Sequence, residues 1–163
     1  MTQLEAWDWL RQTRAHPPGA AHEGEAADLY RAAIQQAEDL MLAAASTGRA
    51  ARPLPLFYAL SQAGKAIEAC YGAAESRSHG LHLVAVPQSI LEARIQSDSG
   101  GRFGSVAKCV GSPALSDEVE LGALIASLPE LSHLLPGGSP WGCVRSVCTP
   151  MRRSSGRESA STQ

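Results

Sequence analysis

The chain has few aromatic residues, no long apolar run and no cysteines paired at metal-ligand spacing. Phe, Tyr and Trp are 5% of its 163 residues. No apolar run approaches the roughly 20 residues that span a bilayer, so no membrane association is expected. The N-terminal stretch MTQLEAWDWLRQTRAHPPG lacks a basic segment followed by an apolar core. It is not a signal peptide, and a cytoplasmic location is expected. The four cysteines, Cys70, Cys109, Cys143 and Cys148, form no CxxC pair, and no paired histidines accompany them. No metal site is expected, and the thiols read as idle groups in a reducing compartment. GxSxG, HExxH, Walker and dinucleotide-binding fingerprints are all missing, and no cofactor is expected. There is no broad basic patch either. Residues 1–136 hold ten Lys and Arg against fifteen Asp and Glu, and residues 137–163 hold four Arg against one Glu. An acidic body argues against DNA binding, although a narrow RNA site remains compatible with it.

What is present suits one globular domain. Hydrophobic residues are 44% and charged residues 18%, and alanine is abundant, which favours helices packed closely through small side chains. Three units are expected: an N-terminal helix and linker at 1–22, a helical and β core domain at 23–135, and a disordered or aberrant tail at 136–163. Leu4, Trp7 and Leu10 share one side of a helix over 3–14, which Pro17 ends. Tyr30, Ala33, Ala37, Leu40, Met41 and Ala44 recur at three- and four-residue steps and predict an amphipathic helix over 23–46, with Glu38 among the polar residues off that stripe.

A third helix is expected over 53–72, opened by Pro53 and Pro55. Phe57, Leu60, Gly64, Ile67 and Tyr71 form one predicted buried face, and Leu56, Ala59, Ala63, Ala66 and Cys70 extend the apolar surface around its flank. Ser61, Gln62, Lys65 and Glu68 fall on a narrow polar stripe expected to meet water. The rough alternation of LHLVAV, ILEARIQ and RFGSVAKCV predicts strands near 81–86, 90–96 and 102–110, with SDSGG as a hairpin turn between the last two. A further helix is expected over 117–128, capped by Ser116, with Asp117 and Glu118 in its first turn. The fold class is therefore α+β and predominantly helical: a bundle of 24–46, 53–72 and 117–128 with a small three-stranded antiparallel element.

RPLPLFYALSQAGKAI at 52–67, HGL at 79–81, GRFGSV at 101–106 and LGALIASLPEL at 121–131 resemble, in that order, the YaaC-like proteins of bacteria. The resemblance covers about 24–135 and departs after Trp141. It also has Phe57-Tyr58 where two tyrosines are common. It implies the fold described above and no established chemistry. Members of that family continue further, so the resemblance implies an N-terminal portion with its C-terminal half missing or replaced. Out-of-frame translation of the tail is one way to that state.

Two constellations carry chemistry. On the polar stripe, Gln62 and Lys65 suit a ligand anion or phosphate; the plainer reading pairs Lys65 with Glu68 or Glu75 at the surface. In the loop ESRSHGLH, Arg77 and His79 are the catalytic candidates, with His82 as a third. A histidine serves as a general base near neutral pH, and an arginine stabilises a crowded phosphate. This loop resembles that of the HEPN ribonucleases, whose Arg and His stand several residues apart, a gap matched by Arg77 to His82. The plainer reading has His79 bonding the loop backbone beside the turn at Gly80. The glycines of SDSGGRFG are read as a turn rather than a phosphate loop, because strand follows strand. The leading expectation is a non-enzymatic binding or interaction module with a protein partner or self-association. The alternatives are an RNA-cleaving nuclease and a fragment without independent activity.

Overall fold

A computed structural model describes residues 3–131 apart from 86, 99, 114, 116, 129 and 130. The expected tail at 136–163 and the cap at Ser116 lie outside the described residues. Five α-helices and a small antiparallel sheet of three strands make up the described part, the mostly helical α+β architecture that the sequence predicts.

The first helix, α1, spans Gln3–Ala15, and a 3-10 turn at Gly19–His22 leads into α2, Gly24–Ser46. The stripe predicted for α2 is its inner face. Tyr30, Ala33, Ala37 and Ala44 are buried, joined by Ala27 and Ile34. Helix α3, Pro53–Cys70, packs along α2, and Ala66 and Ala69 meet Tyr30, Ala33 and Ile34 in the core. This core is almost entirely alanine. Small side chains on both helices let the backbones approach closely, and the large residues are left to the outside.

That packing overturns part of the face predicted for α3. Phe57 is 44% exposed, Leu60 64% and Tyr71 60%, whereas Gly64 of that face and Ala59 and Ala66 of its flank are buried as expected, together with Ala69. Glu68, placed by its polarity on the wet stripe, is 1% exposed. Gly64 and Glu68 face a neighbour that the sequence does not reveal, the helix α4 at Arg102–Cys109.

Strands β1, Leu81–Ala85, and β2, Arg94–Ser97, pair antiparallel, with Leu81 opposite Ser97 and Leu83 opposite Ile95. The predicted third strand at 102–110 is instead α4, Arg102–Cys109. Its first two amides are occupied by the 78–79 loop: Arg102 N donates to Ser78 O (3.0 Å) and Phe103 N to His79 O (3.2 Å). The real third strand, β3, is the short Val119–Glu120, paired to β2. Helix α5, Leu121–Ala126, follows it at once and is shorter than the helix predicted over 117–128. It packs on the turn at Ile90–Glu92 and on β3, so the third member of the bundle is α4 rather than this segment. No helix among the described residues is long and apolar enough to cross a membrane.

Two glycine motifs fold as one unit. Gly80, at φ +80°, lies backbone to backbone against Gly101, where an added Cβ would stand 2.0 Å from the Gly80 Cα. The loop after α3 and the start of α4 are thereby locked together.

Candidate functional site

Helix α3, the loop at 75–79 and the start of α4 enclose an open cleft of about 500 Å3. Tyr58, Ser61, Gln62, Lys65, Glu75, Ser76, Arg77, His79 and Arg102 line it. Four of the five residues singled out in the sequence meet here: Gln62, Lys65, Arg77 and His79. His82 does not. It sits on β1, 63% exposed, with Nε2 3.8 Å from Asp98 Oδ2.

The floor of the cleft is a desolvated ion pair. Arg102 enters over α3 where Gly64 leaves room: a Cβ on Gly64 would stand 2.8 Å from Arg102 Cδ. The guanidinium then spends its donors in three directions. Nε reaches Glu68 Oε2 (3.3 Å), Nη1 reaches Ser61 Oγ (2.9 Å) and Nη2 reaches Ser76 O (2.6 Å). Ser76 Oγ donates to the other Glu68 oxygen at 2.6 Å. Arg102 is 8% exposed and Glu68 1%. A buried charge persists only when paired and hydrogen-bonded, and both conditions hold here. Because Arg102 and Glu68 both grip Ser76, the pair also fixes the loop that presents Glu75, Arg77 and His79.

The rim is more open. Lys65 Nζ stands 2.9 Å from Glu75 Oε1, the plainer pairing expected for it. The hydrogen bond from Lys65, and then its charge, hold the Glu75 carboxyl below its ordinary pKa. Arg77 is exposed and has no ion pair among the described residues. His79 meets Phe57 edge to face, with ring centroids 4.5 Å apart at 66°, and Phe57 meets Tyr58 at 5.3 Å and 70°. The cleft thus carries Lys65, Arg77 and Arg102 against Glu68 and Glu75, one positive charge in excess.

Arg102, Ser76 and Tyr58 are the site residues that sequence reasoning missed. A glycine inside an apolar helix signals that something lies against it, and Gly64 was such a signal for Arg102. The sequence argues against a phosphate loop at SDSGGRFG on the ground that strand follows strand. That ground fails, since a helix follows β2, yet the amides of Arg102 and Phe103 already donate to loop carbonyls and are not free for a phosphate. Among the described residues no group of three or more His, Cys, Asp and Glu is placed to hold a metal ion. Cys70 is half-buried, and burial pushes its thiol pKa up, away from the nucleophilic thiolate.

The model of a protein family described as YaaC-like Protein matches residues 6–140, most of the chain. No curated protein and no solved structure matches it.

Proposed function

The chain belongs to the YaaC-like protein family, and from that premise we propose that it is a binding module whose α3 cleft holds an anionic group, a phosphate or carboxylate, between Gln62, Lys65 and Arg77. The observation that supports this most is the charge balance of the cleft. The Arg102–Glu68 and Lys65–Glu75 pairs are internally neutral, which leaves Arg77 exposed and without an ion pair among the described residues. An incoming anion has only to compete with the half-exposed Glu75 for Lys65, and surface pairs of that kind are worth little. Calorimetric titration of the full chain with inorganic phosphate and pyrophosphate tests the reading. Binding that weakens in both Lys65→Gln and Arg77→Gln supports it; equal heats in wild type and variants, or none, reject it.

A second reading is the nuclease, favoured by one observation: Arg77 and His79 line the same cleft. There His79 would take the proton from the attacking hydroxyl and Arg77 would meet the phosphate. His82 lies apart from that cleft, so His79 carries this reading. Labelled RNA incubated with wild type and with His79→Ala separates the two. Cleavage lost in the variant replaces the binding module with an enzyme, and intact RNA in both removes the nuclease. A protein partner or a second copy of the chain remains part of the binding proposal. The large apolar side chains on the outer side of α3, Leu54 and Leu60, and Tyr71 at its end, each at least 60% exposed, support it. Sedimentation of wild type and Leu60→Glu is the check: a dimer dissolved by the substitution supports a second copy.

A further inference from the structure

We infer that the ligand of the α3 cleft is a mononucleotide, held by its phosphate at Lys65 and Arg77 and by its flat base on Tyr58 and His79. This rests on the anion-binding reading and adds the second half of the ligand. The observation behind it is the placement of the rings. The chain has three Tyr and two Phe, yet Phe57 and Tyr58 stand together at the mouth of a polar cleft, 44% and 46% exposed. Neither serves the alanine core. Phe57 contacts both Tyr58 and His79 edge to face, an arrangement that aromatic rings prefer. It therefore braces from behind the two rings that line the cleft. A braced ring beside a cation is the pairing that a phosphate ester with a flat heterocycle requires.

Size and charge narrow the class further. A volume of about 500 Å3 falls within the range of small-molecule sites. One uncompensated cation, with Lys65 recruitable from Glu75, suits a single phosphate monoester of about −1.5 to −2 at pH 7. A nucleic-acid strand would need a track of several cations. The third Lys or Arg at the cleft among the described residues, Arg102, has its guanidinium engaged by Glu68, Ser61 and Ser76.

Calorimetry on the full chain with inorganic phosphate, the four nucleoside monophosphates and a ten-residue RNA tests this. At least one monophosphate is expected to bind about fivefold or more tighter than phosphate, the lower limit for stacking one base. Tyr58→Ala is expected to erase that advantage, lowering monophosphate affinity at least about fivefold more than phosphate affinity, and His79→Ala to reduce it. Tyr58 lies outside the core, and far-UV circular dichroism confirms that the variant remains folded. Phosphate binding with no gain from any base overturns this inference alone. No binding of either ligand overturns the anion reading beneath it. Tighter binding of the RNA than of every monophosphate also overturns the mononucleotide.

Discussion

Glu38 and Glu68 are both buried, and they are held in opposite ways. Glu38, on α2, is 5% exposed, but its partners reach in from α1. Arg11 Nε donates to Oε1 at 2.7 Å and Arg14 Nη2 to Oε2 at 3.1 Å. Arg11 also bonds Asp8, Arg14 also bonds Gln35, and the Arg11 side chain is half-exposed. Glu68 has a single arginine, itself buried, and shares it with Ser61 and Ser76. The first cluster is a surface strap that holds α1 down, assisted by Tyr30 Oη donating to Thr13 Oγ1 at 2.7 Å. The second is a desolvated post under a cleft. Redundancy separates them: the strap has two cations for one carboxylate, and the post has one.

Substitutions break this comparison in order of size. Arg102→Ala leaves Glu68 charged and unpaired in the interior, and a loss of about 3–5 kcal/mol is expected in chemical denaturation. Gly101→Ala drives a methyl into the Gly80 backbone, for which about 3 kcal/mol of overpacking is expected. Arg14→Ala leaves Arg11 on Glu38 and should cost below about 1 kcal/mol, as a partly exposed pair does. Equal losses for Arg102→Ala and Arg14→Ala would erase the distinction between post and strap.

The strap side of the molecule was legible in the sequence, and the post side was legible only in part. Helix α2 is long, and its period places Tyr30, Ala33 and Ala37 correctly. Even there Glu38 was read as a polar surface residue, because its burial depends on α1 crossing over it. For α3 the helix was legible and its face only in part. Weighting by size centres the face on Phe57 and Leu60, whereas close packing against α2 selects its predicted flank, Ala59 and Ala66, together with Ala69. Helix α4 was hidden because Gly104 and Val106 are weak helix formers. Its start depends on carbonyls from the 78–79 loop, a tertiary contact with no local signature. Gln62, Lys65, Arg77 and His79 were named from the sequence, and Arg102, which organises them, was not.

Smaller effects sharpen the account of the rim. Glu75→Gln frees Lys65 from its competitor, so phosphate affinity should rise about two- to fivefold, while Lys65→Gln lowers it by a similar factor. A titration in which Glu75→Gln binds more weakly would show that the carboxylate helps the ligand. The pH dependence follows from the same pair. Lys65 holds the Glu75 pKa low, so the bridge is complete above the ordinary glutamate range and is lost as pH falls through the lowered value. Sulfate keeps its charge there, and its affinity should rise as the bridge opens. The rise should be absent in Glu75→Gln, with both titrations run in a His79→Ala background to remove the imidazole.

The most direct measurement of the difference between the two arginine clusters is a phosphate titration followed by amide chemical shifts on the full chain. Saturable shifts are expected at Gln62, Lys65, Arg77 and His79, with Arg11, Arg14 and Glu38 unmoved. Shifts centred on Arg11 and Arg14, or linear drift at both clusters without saturation, would contradict an anion site in the α3 cleft.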